Sequence, residues 1–232
     1  MSAQRSTKST DRTGDTRERL LRAGLEVFGL HGYAGVSTRQ LANRAGVNLA
    51  AIPYHFGGKE GLYQAVTEHI AAQIGGRMGA QVGAIQKDLA DNGALTEEQL
   101  LEHLGAVLRG LAGVLLGSPD AHLWAGIILR EQLHPSAAFD ILYRDIIGRV
   151  HQTLALIIAR LLQRPDDDPD CILRAHAILG EVIIFRAARA ALLRRMGWND
   201  YNPERVQHIT RLLIDQTCDM LLAQQRRERS ST

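Results

Sequence analysis

Residues 37–60, STRQLANRAGVNLAAIPYHFGGKE, constrain the fold of this chain more than any other stretch. Ser37 and Gln40 have capping-box spacing, in which the Ser hydroxyl takes the amide three residues on and the Gln side chain returns to the cap amide. A helix therefore starts at Thr38, with Leu41, Ala42 and Ala45 on one side, and Gly46 supplies the left-handed backbone that ends it. Asn48 is a good cap for a second helix. Only Gly46 and Val47 lie between, so the two helices must cross sharply. Small Ala42 permits close approach, and Val47 and Ile52 plug the angle. This is helix-turn-helix geometry, whose second helix seats in a DNA major groove.

Upstream, Asp15 and Glu18 have the spacing of a helix start. The helix they predict carries Leu20, Leu21, Leu25, Val27, Phe28 and Leu30 on its apolar face and stops at Gly32. Three helices thus precede residue 58. In this order, TRERLLRAGLEVFGLHGY, VSTRQLANRAGV and AAIPYHFGGKEGLY resemble the TetR family of bacterial regulators. LREQLHPSAAFDILY, IIFRAARAALLRRMGW and NDYNPERV resemble the C-terminal domain of its CecR-type branch. Membership implies an all-helical homodimer that represses genes, often for export or detoxification, until a ligand binds.

The rest of the chain agrees with an all-α fold. It has 232 residues, 45% of them hydrophobic and only 5% aromatic, and no alternating Val/Thr/Tyr segments of the kind strands need. Its formal net charge is +2. Nine Arg/Lys against five Asp/Glu give residues 1–60 a charge of +4, and the remainder −2. Positive charge on the motif draws phosphates at long range and makes binding salt-sensitive. Cys171 and Cys218 have no CxxC spacing and read as reduced thiols. No run reaches ~18 uninterrupted apolar residues. A cytoplasmic protein that binds neither membrane nor cofactor is expected.

Domain boundaries follow from punctuation. Residues 1–14, rich in Ser, Thr, Arg and Lys, read as a disordered basic arm, 15–60 as the DNA-binding domain, 61–226 as an effector-binding and dimerisation domain, and 227–232 as a tail. Leu62, Val66, Ile70, Ile74 and Met78 make a stripe at every fourth position of a long helix. Asp91-Asn92-Gly93 breaks it, and Thr96 with Gln99 caps the next. Ser118-Pro119 opens another, which ends at His134-Pro135. One helix follows over about 136–162, one from Asp168-Pro169 to Gly197, and a last one from Asn202-Pro203. Nine helices are predicted. The segment ILGEVIIFRAARAALL is apolar around most of its circumference and so needs partners on all sides. It and the last helix are expected to pair with their copies in a four-helix bundle, through Ile183, Ile184, Ala187, Ala191, Leu213 and Met220.

For DNA, Asn48 and Ala51 suit base edges. Tyr54 and Lys59 resemble the family's phosphate-gripping positions, and Thr38, Arg39, Arg44 and His55 are further candidates. Pro53 departs from the commoner Tyr, and by removing an amide it predicts a kinked or tightened reading helix. For the effector, an unidentified small molecule, candidates are His103, Trp124, Arg130, Glu131 and His134, followed by Tyr143, His151, His176, Glu181 and Arg186, polar groups among apolar ones. Two rivals remain: a helical body that binds a protein partner, and a carboxylate-bridged metal enzyme prompted by Glu131-Gln132-Leu133-His134. The metal chemistry wants two such Glu-x-x-His pairs plus two further Glu residues, and only one pair is present.

Overall fold

The computed structural model describes residues 4–91, 95–118 and 120–230, with side chains from Gly14 onward. All regular structure among them is helical: α1 (Gln4–His31), α2 (Thr38–Ala45), α3 (Ala51–Phe56), α4 (Lys59–Ala90), α5 (Glu97–Leu115), α6 (Ala121–Leu133), α7 (Ala137–Leu142), a π turn (Tyr143–Ile147), α8 (Gly148–Leu162), α9 (Pro169–Ala187), α10 (Arg189–Met196) and α11 (Pro203–Ser230).

The nine predicted helices become eleven because two are interrupted. The helix expected over 136–162 contains the π turn. A Cβ at position 148 would lie 2.9 Å from the Tyr143 carbonyl oxygen, so Gly148 is what lets that carbonyl turn inward. The helix expected to run to Gly197 breaks at Ala188. There the Tyr201 hydroxyl donates to the Phe185 carbonyl at 2.7 Å, occupying the acceptor that the Arg189 amide would otherwise use. At the N-terminus, α1 begins at Gln4, so its backbone is helical through most of the stretch expected as an arm, and Asp15 is interior, 3.8 Å from Arg19. Residues 1–3, 92–94, 119 and 231–232, which include parts of the expected arm, the Asn92-Gly93 break, Pro119 and the tail, lie outside the described residues. The tail from 227 continues α11 to Ser230.

The chain divides into two compact units. The first holds residues up to Gln73 together with His122–Leu142, and the second holds Ile74–Ala121 and Tyr143–Thr232. The segment 122–142, which the sequence assigns to the effector domain, groups with the head. In the first unit Leu20, Phe28, Leu41, Ile52, Leu62, Val66, Ile70 and Ile127 are fully enclosed. Leu30, expected on the apolar face of α1, is 53% exposed. The second unit is built around Leu104, Val107, Leu108, Leu154, Ile157 and Ile158, and Met78, Val82 and Ile85 of α4 are also buried in it. The four-residue stripe on α4 thus gives buried residues to both units.

Candidate nucleic-acid interface

The head is assembled by local chemistry. The Ser37 hydroxyl accepts from the Gln40 amide at 3.3 Å, and the Gln40 side chain accepts from the Ser37 amide at 2.8 Å, a complete capping box. Gly46 closes α2 at φ 64°, and its carbonyl accepts from the Arg19 guanidinium at 2.7 Å. Arg19 thereby ties α1 to the turn between α2 and α3. Arg17 sits 5.3 Å over the Phe56 ring at the other end of α3. Neither residue is singled out by the sequence reading, because each lies on a polar helix face and its partner is about 30 to 40 residues away.

The short α3 buries one of its residues, Ile52. Its entry is tightened as Pro53 requires: the Ala51 and Ile52 amides bond three residues back, to Asn48 at 2.9 Å and Leu49 at 3.3 Å. The Asn48 side chain accepts from the Ala50 amide at 2.9 Å, so it serves this first turn while remaining exposed. Tyr54 is 78% exposed, with the half-buried His55 edge-on to it. Ala51 and Thr38 are half-buried and Arg39 is exposed. Lys59, opening α4, holds its Nζ 4.2 Å over the Tyr33 ring. Arg44 is bound on two nitrogens by the Glu26 carboxylate, the Nε contact being 2.8 Å, and this pairing competes with the phosphate role expected for it.

The residues expected at the effector fall into three places. Arg130, Glu131 and His134 belong to the head unit, around a cleft of about 510 Å³. There Arg130 donates to the carbonyls of Phe28, Gly29 and Leu30 at 3.0, 2.9 and 3.0 Å, closing the end of α1, where the Phe28 carbonyl also accepts from the Gly32 amide at 2.8 Å. Gly29 and Gly126 allow the close crossing of α1 and α6, since a Cβ on Gly126 would collide with the Gly29 carbonyl. Glu131, 4% exposed, accepts from the Tyr63 hydroxyl at 2.8 Å on one oxygen and from the Ser136 amide and hydroxyl on the other. Burial, and then the bond to Glu131, push the Tyr63 phenol above its ordinary value. The Glu131 oxygens are therefore engaged, and His134 is exposed. Among the described residues no three His, Cys, Asp or Glu side chains are grouped to hold a metal ion.

Tyr143 and His151 lie in the second unit, in the wall of a cleft of about 1320 Å³ that also takes in Leu89, Leu100, Leu156, Gln152 and Arg149. Burial, and then the neighbouring His176 ring at 5.7 Å, hold His151 below the usual imidazole value. The remaining candidates are scattered: Trp124 is buried in the head unit, His103 has its Nε2 3.4 Å from Asp88, and His176, Glu181 and Arg186 line neither of these two clefts. Arg186 is lowered by burial and then by Arg189. Of the expected dimer contacts, Ile184 is 54% and Met220 38% exposed, Ala187 and Ala191 are open, and Ile183 is half-buried. Leu213 is corrected: at 4% exposure it faces its own subunit's core, while Leu212 beside it is 52% exposed.

Both parts of the chain match known proteins. Residues 20–66 match the profile of bacterial regulatory proteins of the TetR family, and residues 100–224 that of the C-terminal domain of the HTH-type transcriptional dual regulator CecR. CecR of Shigella flexneri is 32% identical over 207 residues, covering 87% of this chain and 86% of the relative. Among solved structures, AibR in complex with isovaleryl coenzyme A and operator DNA superimposes with a TM-score of 0.62 at 15% identity, over 86% of this chain and 96% of AibR. A TetR-family regulator from Mesorhizobium loti gives 0.56 at 19% identity, over 91% and 97%. These two share the fold. With a capped helix-turn-helix presenting α3 outward and two profiles spanning head and body, the chain belongs to the TetR family of bacterial transcriptional regulators, in the branch with a CecR-type C-terminal domain.

Proposed function

We propose that this regulator binds a palindromic operator as a homodimer, represses there, and leaves when a small molecule occupies the body. The observation that carries the DNA reading is α3, which commits Ile52 alone to the core and leaves Tyr54 exposed, with Asn48 exposed in the turn that leads into it. Asn48 and Ala51 approach base edges, and Tyr54, Lys59, Arg39, Thr38 and His55 approach phosphates and sugar. Two reading helices in a symmetric pair meet half-sites about 34 Å apart or a multiple of it. Ile184, Leu212 and Met220, exposed on α9 and α11, support the pairing surface.

The cleft of about 1320 Å³ supports an effector in the second unit, since it combines leucine walls with a few polar groups, Tyr143, His151 and Gln152 among them. AibR's coenzyme A thioester is consistent with a small organic effector in a body of this fold. Release then follows from unequal affinity of the ligand for the DNA-bound and free arrangements.

DNA recovered from the genome by the purified protein supplies the operator for titration at several salt concentrations. Lys59→Ala weakens specific and random duplexes alike and lowers the salt slope by about one, whereas Asn48→Ala relaxes preference at particular base pairs. Identical behaviour of the two variants overturns the assignment. Sedimentation of Leu212→Arg reads the dimer, which this charge disrupts; an unchanged dimer removes α11 from the interface.

A further inference from the structure

A second cleft, of about 640 Å³, lies wholly within the second unit, between the C-terminal half of α5 and the start of α11, and shares no lining residue with the larger one. Its existence traces to a glycine. Gly113 sits inside α5, where glycine is a poorer helix former than alanine. Yet a Cβ added there meets nothing within 4 Å, so no neighbour demands the absence of a side chain. The helix gives up stability and the space stays open.

The rim beside that space is held in place. Tyr201 is fixed by its hydroxyl on Phe185 and by the Arg189 guanidinium 5.4 Å over its ring. Asp200, just before it, accepts from the Tyr201 amide at 2.6 Å and pairs with Arg189, and its carbonyl accepts from Arg205 at 2.6 Å. Such a wall is formed before any ligand arrives, which reduces the ordering cost of binding.

Charge selects the occupant. Arg109 from α5 and Arg211 from α11 both line the cleft, and neither makes a hydrogen bond or ion pair with a described residue. Asp215, one turn after Arg211, is the acid in the same lining, leaving an excess of one positive charge. Val206 and Ile214 supply apolar surface. On α11, Gln207, Arg211 and Asp215 recur at every fourth residue, a different stripe from the exposed Leu212 and Met220, so the cleft and the proposed dimer face are separate.

We propose that this cleft is a second ligand site, specific for a small amphiphilic organic anion whose carboxylate meets Arg109 and Arg211 and whose apolar body covers Gly113. Guanidinium recognises carboxylate by paired, charge-assisted hydrogen bonds, which a neutral or cationic head group of the same length cannot accept.

Calorimetric titration of the full-length protein with octanoate, octanol and octylammonium tests the assignment. Octanoate binds about tenfold or more tightly than either analogue, and the Arg109→Met/Arg211→Met double variant removes that preference. Gly113→Leu, which strengthens the helix while filling the floor, abolishes octanoate binding. A filling substitution in the larger cleft, Leu156→Trp, leaves it intact. The proposal is overturned by equal affinity for octanoate and octanol, by no octanoate binding at millimolar concentration, or by octanoate binding that survives Gly113→Leu or is lost in Leu156→Trp. Because the readout is heat and not DNA release, its failure is distinct from failure of the operator assignment.

Discussion

Arg130→Ala tests whether α6 belongs to the reading head. Its guanidinium serves Phe28, Gly29 and Leu30, and it is backed by Gly32, where a Cβ would lie 3.1 Å from the Arg130 side chain. Two of these bonds, from Nη1, are partly buried and one is exposed. A charge-assisted bond to a carbonyl contributes about 1.5 kcal/mol at the low end, and the exposed one much less, so the loss comes to about 3 kcal/mol. With a urea slope of about 3 kcal/mol per molar, the midpoint falls by about 1 M.

The two tryptophans make the measurement local. Trp124 is buried on α6 in the head unit, and Trp198 lies in the other unit, so fluorescence in a Trp198→Phe background reports the head. Arg130→Lys keeps the charge but lacks the fork, and recovers less than half of the loss. A Trp124 midpoint within about 0.2 M of the parent, where the slope of the extrapolation no longer resolves a change, refutes the tie between α1 and α6.

Three other outcomes follow. Gly75, Gly79 and Gly83 in α4 each have open space where a Cβ would stand, so replacing all three by alanine raises stability by about 2 to 3 kcal/mol in urea titration; a loss would mean those positions are packed in solution. Gly46→Ala, at φ 64° and with an Arg19 nitrogen 2.7 Å from the new Cβ, costs about 1 to 2 kcal/mol and weakens operator binding, read by denaturation and DNA titration. At the corner of α8, α9 and α11, the Cys171 amide holds Asp168, and Arg164 holds Glu228, below the usual carboxylate values. Their stabilisation is complete above the ordinary carboxylate range of about 4 to 4.5 and is lost as pH falls through the depressed values, so Arg164→Met flattens the acid limb of a stability profile measured from pH 5 downward.

Sequence exposes what neighbours in the chain decide. The Ser37–Gln40 box, the left-handed Gly46 and the stripe from Leu62 to Met78 each act within one or two helical turns, and all appear as read. What it leaves open is decided by distant partners. The break at Ala188 needs a hydroxyl from Tyr201, and the choice of Leu212 over Leu213 as the exposed side chain depends on how α11 is rotated against α5 and α8. Apolar residues on both sides of a helix do not say which side meets the subunit's own core.

The sharpest case is α6. Arg130 and Glu131 stand out as polar groups in an apolar helix, and that pattern suits a ligand pocket and an internal tie equally well. The difference lies in supply and demand for hydrogen bonds. The last turn of α1 is anchored in the core by the fully buried Phe28 and must find donors for its last carbonyls, while Tyr63 carries a hydroxyl into the same core. A guanidinium and a carboxylate side by side meet both needs at once. The unmet acceptors at the end of α1 thus commit Arg130 to the head, 100 residues away in the chain from its partner Leu30.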